Sequence, residues 1–200
     1  MIAETYLASN DAIMASIIET TPMFKKVDWN HDVYLALLES IVSQQISVKA
    51  ADSIFTRFRA LFDDAYPHPE SLLSKTAEEL RSAGLSLQKI KYLQNVALFA
   101  IENGIDYEKL QKLTDEEIVR YLIPIKGVGR WTVEMLLMFV MDRPDVFPID
   151  DLVIRQKMVR AYNLTETGRA LYKELHVIAE NWRPYRTMAC HYLWRWKPEL

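Results

Sequence analysis

Residues 131–140, Trp-Thr-Val-Glu-Met-Leu-Leu-Met-Phe-Val, place apolar side chains on nearly every side of a helix. Such a helix is stable in water only when other elements surround it. The rest of the chain reads as a supply of helices that can do so. Only five glycines interrupt it, and no convincing run of period-2 alternation suggests a strand.

The helical signals follow in order. A polar pattern spans roughly Tyr6 to Glu19. Asn30 is placed to cap a helix carrying Val33, Leu37, Leu38, Ile41 and Val42 on one face. Ser47 caps the next, whose stripe is Ala51, Ile54, Phe55, Phe58, Leu61 and Phe62, and Tyr66-Pro67-His68-Pro69 breaks it. Thr76 with Glu79 and Thr114 with Glu117 form capping boxes. Gly84 and Gly104 read as stops, Ser86 as a start, and residues 107–112 as a short turn of helix. Beyond the apolar helix, one helix carries Val153, Ile154 and Met158 and another runs from about Gly168 to Glu180. Pro184 fits the first position of the last. With no repeat and no low-complexity linker, the expectation is one all-α domain over residues 1–200.

Composition narrows the function classes. The single cysteine, Cys190, leaves no intrachain disulfide, iron–sulfur cluster or multi-cysteine zinc site. His31, His68, His176 and His191 lack metal-like spacing, so no side-chain metal site is expected. The start carries an early acid and no basic region, unlike a signal peptide, and no apolar run is long enough for a bilayer. A net charge of −3 argues against nucleic-acid binding through bulk charge. Phosphate binding needs only a local patch and a helix N-terminus.

The segment just before the apolar helix offers both. Ile125-Lys126-Gly127-Val128-Gly129-Arg130 joins two helical patterns. Glycines allow a sharp turn and close approach. The second helix presents free N–H groups and its positive dipole end there. A backbone phosphate fits such a place without any reading of sequence. On the glycines alone, a plain αα-turn explains the loop equally well. Lys126 and Arg130 shift the balance toward phosphate.

The pattern L-x-x-I-K-G-V-G-R-W-T, from Leu122 to Thr132, resembles the helix-hairpin-helix of base-excision DNA glycosylases (the HhH-GPD superfamily). The closest resemblance is to the 3-methyladenine DNA glycosylase II, alkylpurine branch. Four blocks carry it in family order: residues 41–48 (Ile-Val-Ser-Gln-Gln-Ile-Ser-Val), 84–89 (Gly-Leu-Ser-Leu-Gln-Lys), the hairpin with 146–152 (Val-Phe-Pro-Ile-Asp-Asp-Leu), and 182–186 (Trp-Arg-Pro-Tyr-Arg) through Trp194. The resemblance implies a two-lobed helical bundle with the active-site cleft between lobes. The middle lobe would span about residues 33–125, and the second would join 1–32 to 126–200, with no N-terminal β domain.

It also implies an activity: flipping an alkylated purine of the 3-methyladenine or 7-methylguanine type out of double-stranded DNA and hydrolysing its glycosidic bond. In this branch an essential Asp follows the hairpin. The pattern F-P-x-x-D places it at Asp151, leaving Asp150 to capping or local electrostatics. Trp131 and Trp194 match the family's active-site tryptophans, and an electron-rich indole favours a cationic alkylated base. By the residues alone, both would be core aromatics. Gln44 and Tyr192 would line the pocket. Gln45 would be the wedge that fills the gap left by the flipped base. Ser43, Ser47, Lys49, Lys126, Gly127, Val128, Gly129 and Arg130 would contact DNA. Carbonyls of Ile123, Ile125 and Val128 would hold a monovalent sodium or potassium ion, with no other cofactor.

One position sets the reaction subtype. The bifunctional endonuclease III branch carries a Schiff-base lysine just after Gly-x-Gly-Arg. Here that slot is Trp131, whose indole forms no imine. The expectation is a monofunctional, monomeric glycosylase without lyase activity, acting in the cytoplasm or nucleoid (the nucleus in a eukaryote) and not at a membrane. Two other readings remain at this point. One is a non-catalytic helix-hairpin-helix DNA-binding protein; the other is a glycosylase for oxidised or mismatched bases.

Overall fold

The computed structural model describes residues 2–22 and 29–197. Among them are thirteen α-helices and no strand. None of these helices is long and apolar enough to cross a membrane. The chain divides into two compact units: Met1–Val27 with Leu137–Leu200, and Asp28–Leu136 between them.

The first unit begins with α1 (Ile2–Asn10) and α2 (Ala12–Thr20). The single N-terminal helix expected from the pattern is thus two. Asp11 separates them: its extended backbone breaks the first, and its Oδ1 caps the second by accepting from the N–H groups of Ile13 and Met14.

The middle unit holds α3 (Val33–Ser43), α4 (Val48–Arg59), α5 (Pro69–Ser74), α6 (Ala77–Ser82), α7 (Leu87–Asn103), α8 (Tyr107–Leu110) and α9 (Asp115–Leu122). Asp32, not Asn30, caps α3, accepting from the Leu35 N–H at 2.9 Å. Asn30 instead adopts a left-handed φ of 48°. Ser47 caps α4, Ser86 caps α7, and both capping boxes close as the sequence implies. The long helix α7 is the centre of this unit, with α3, α5 and α6 packed on it. It contributes Ile90, Leu93, Val96 and Ala97 to a core shared with Leu38, Ile41, Phe58 and Leu72. Each such large side chain, fully buried, contributes about 1.5–3 kcal/mol.

Helix α10 (Arg130–Phe139) follows the hairpin, and the division between the units falls within it. Its Val133, Leu136, Leu137 and Met138 are buried, in keeping with its apolar circumference. The first unit is completed by α11 (Leu152–Ala161), α12 (Gly168–Glu180) and α13 (Arg186–Arg195). Pro184 does not start α13. It precedes the cap residue Tyr185 and follows a cis peptide bond from Arg183. Helix α13 packs on α11, α2 and α1. Asp11 ties these parts together, because its Oδ2 accepts from the Tyr162 hydroxyl at 2.5 Å and from Trp182 Nε1 at 2.9 Å.

Candidate active site

The expected site residues form two groups, one in each unit. In the middle unit, α3 ends at Ser43 and the chain turns through Gln44 and Gln45. Gln45 takes a left-handed φ of 61° and is exposed. Gln44 reaches across to the hairpin, where its Nε2 donates to the carbonyl of Gly127 at 3.1 Å. The two segments richest in expected DNA contacts are therefore fastened to one another.

The two glycines of the hairpin have different reasons to be glycine. Gly127 has φ 104°, and a Cβ there would stand 2.4 Å from Cγ of Tyr92 on α7. Its need is internal to the fold. Gly129 has neither constraint: its φ is ordinary and nothing lies within 4 Å of a Cβ built on it. Open space beside the start of α10, where backbone N–H groups lack helical acceptors, suits an external anion. Lys126 is exposed beside it, and its carbonyl accepts from Asn95 Nδ2. Val128 sends its side chain into the core, so only its backbone is available to a ligand.

Arg130 is already engaged. Its guanidinium forms a two-pronged pair with Glu116, at 2.7 and 3.0 Å. The arginine holds the Glu116 carboxyl below the usual carboxylate range. Both partners are exposed, and such pairs contribute little net stability, so a phosphate can compete for the arginine. Ser47 is occupied by its cap on Ala50, and Lys49 is exposed on the first turn of α4.

Trp131 follows the hairpin and is 41% exposed. That is not the fate of a core aromatic on an apolar helix. It lines a cavity of about 320 Å3 with Ser40, Ser43, Gln44 and Gln45. The cavity thus combines a flat aromatic wall with hydroxyl and amide groups. Ser40 escaped the sequence reading. Its spacing of three and four residues from Ser43 and Gln44 is the signal that could have found it.

In the other unit, Asp151 is the N-cap of α11 and only 8% exposed. Its Oδ1 accepts from the Ile154 N–H at 2.8 Å and from Nε1 of Trp194 at 3.2 Å. Capping therefore belongs to Asp151, not Asp150. Asp150 is exposed, accepts from the Tyr172 hydroxyl at 3.1 Å and pairs with Arg155 at 3.6 Å. The loop leading to this pair is pinned by Thr187 on α13, whose Oγ1 donates to the Arg143 carbonyl and accepts from the Val146 N–H.

Trp194 stacks on Phe139, ring centroids 5.6 Å apart. Tyr192 does not join it. Successive helical residues turn by about 100°, so a side chain two positions away points elsewhere. Tyr192 is buried against α1, where its hydroxyl donates to Glu4, and burial raises its pKa. It holds the fold and is removed from the pocket set.

The family model of HhH-GPD superfamily base excision DNA repair proteins matches residues 38–184. The chain belongs to this superfamily. The matched HhH-GPD region includes the Gln44–Gln45 turn, the hairpin and Asp151. Among HhH-GPD relatives, the DNA-3-methyladenine glycosylase 1 of Schizosaccharomyces pombe is 38% identical over 164 residues, covering 81% of this chain and 71% of the relative. A solved structure of the S. pombe 3-methyladenine DNA glycosylase Mag1 in complex with abasic DNA aligns with a TM-score of 0.82 and 33% identity, over 97% of this chain and 95% of that one. A DNA-3-methyladenine glycosidase from Bacillus halodurans aligns with a TM-score of 0.80 and 31% identity, over 97% and 88%.

Proposed function

We propose that this chain binds double-stranded DNA and hydrolytically excises alkylated purines as a monofunctional glycosylase. The observation that carries the reading is the carboxylate of Asp151. It is buried, yet held at a helix N-terminus by one backbone N–H and one indole N–H. Such a carboxylate stabilises the positive charge that develops on a sugar as its bond to the base breaks, and aligns the attacking water. Capping alone would be served as well by a neutral Asn or Ser, so the negative charge at this buried place is what favours chemistry over a purely structural role. The relatives named as 3-methyladenine glycosylases support the choice of substrate class.

The other residues take roles that follow from their chemistry. Trp131 offers an exposed indole face to an electron-poor purine taken out of the stack. Gln44 and the serines of its cavity supply hydrogen bonds to base edges. Gln45, exposed on a left-handed turn, fills the place of the flipped base and hydrogen-bonds the partner strand. Lys126 and the backbone at Gly129 hold a phosphate. Carbonyls of Ile123, Ile125 and Val128, as hard oxygen donors, would hold a monovalent cation and stiffen the hairpin. With an indole at residue 131, no imine forms there and water is the nucleophile.

The test is release of free bases from N-methylated DNA, extended over a panel of alkylated and deaminated lesions, with borohydride trapping alongside. Release of 3-methyladenine without a trapped covalent adduct is expected. DNA binding with no base released from any lesion would overturn the reading in favour of a binding protein.

A further inference from the structure

Helix α11 touches the C-terminal end of α13 at a second place besides Asp151. Lys157 on α11 is half-buried, and its Nζ donates to the carbonyls of Trp194 and Trp196, both at 2.7 Å. These carbonyls close the last turn of α13, where C=O groups run out of helical partners and the dipole is negative. The side chain of Trp194, from that same turn, donates back to Asp151 at the head of α11. A closed loop results: the Trp194 indole meets Asp151, the Trp194 carbonyl meets Lys157, and the backbone of α11 joins Lys157 to Asp151.

We propose that Lys157 is a positioning residue for base excision, acting by fixing Trp194 and through it the carboxylate of Asp151. Phe139 stacks on the indole and His191 lies tilted against it, contacts that set its plane but are less directional than a hydrogen bond. The contact to Asp151 is 3.2 Å, so a small slip of the helix end breaks it. The ammonium, bonded to carbonyls of residues 194 and 196, fixes the height of the indole relative to α11. A misplacement of about 1 Å in such a constellation costs roughly a hundredfold in rate. The proposal rests on the glycosylase reading of Asp151.

The experiment is a double-mutant cycle in single-turnover base release, using Lys157→Met, Trp194→Phe and the combined variant on methylated DNA, with Lys157→Arg as rescue. The Lys157→Met variant should lose about ten- to a hundredfold in maximal rate, with DNA affinity held within about twofold. Lys157→Arg should recover most of the rate, since a guanidinium also donates to carbonyls. In the Trp194→Phe background, which lacks the indole donor, removing Lys157 should cost at most about twofold more. Multiplying losses, or a Lys157→Met enzyme as fast as the parent, would overturn the proposal. If the parent protein releases no base, the glycosylase reading has failed. The positional claim is then decided by hydrogen exchange at the Trp194 indole N–H, identified by its loss from the NMR spectrum of Trp194→Phe. Slow exchange that becomes fast in Lys157→Met supports it, and unchanged exchange overturns it.

Discussion

Gln44 Nε2 donates to the Gly127 carbonyl at 3.1 Å, joining the turn after α3 to the hairpin before α10. Helix α7 backs both segments. Its Lys89 donates to the Val42 carbonyl at the end of α3, and its Tyr92 lies against Gly127. The Gln44–Gln45 turn and the hairpin loop are thus one braced surface, and damage to the link should be felt in both.

Substitution of Gln44 tests that link. Gln44→Ala removes a partly buried hydrogen bond and should cost about 1 kcal/mol of stability. Gln44→Glu should cost more, because it sets a carboxylate oxygen against a carbonyl oxygen. Denaturant unfolding ranks the two. Both should weaken binding to lesion-containing DNA, measured by fluorescence anisotropy. Equal stability of Gln44→Glu and the parent would show that the bond contributes nothing.

The two hairpin glycines should fail in different ways. Gly127→Ala meets both a left-handed backbone and the Tyr92 side chain near its root, where it cannot swing aside. A loss of about 2–4 kcal/mol is expected. Gly129→Ala meets nothing, so stability should hold within about 0.5 kcal/mol. Its added methyl would stand between the helix N-terminus and a phosphate, and DNA affinity should fall several-fold. A Gly129→Ala protein that binds DNA like the parent would remove this loop from the interface.

Asp151→Asn separates capping from chemistry. Asn is as good an N-cap as Asp, and its amide oxygen can still accept from Ile154 and Trp194. Thermal stability should change little and DNA binding should persist. Base release should fall by a factor on the order of a hundred or more, since the negative charge near the sugar is gone. Retained release would place the chemistry elsewhere.

Local features of this fold could be read from the sequence and long-range ones could not. Thr76 with Glu79 and Thr114 with Glu117 declare their helices because each box closes within four residues. Asp11 looked like the middle of a helix because the partners that hold it, Tyr162 and Trp182, are far along the chain. Tyr192 stood near Trp194 in sequence, and only the helix turn and Glu4 show that it faces away. The Asp150-Asp151 pair was visible, yet the division of roles needed Tyr172, Arg155 and Trp194 in place. Arg130 carried the right charge for phosphate, but its pairing with Glu116 depends on how α9 meets α10.

Acid should loosen the unit that carries Asp151, through His191. This side chain is 6% exposed, with its ring edge-on to Phe139 and tilted against Trp194. Burial pulls its pKa down from 6.5 to about 4. An unfolded chain takes up the proton near 6.5, whereas the folded protein must wait until about 4. Between these values the unfolded state binds more protons, so stability present above pH 6.5 is lost as pH falls toward 4. The full loss from this one group is on the order of 3 kcal/mol. Urea unfolding at pH 7 and pH 4.5 should show the drop. A His191→Gln variant, less stable at pH 7, should show a smaller decline between the two. An equal decline in both proteins would assign the acid sensitivity to other groups.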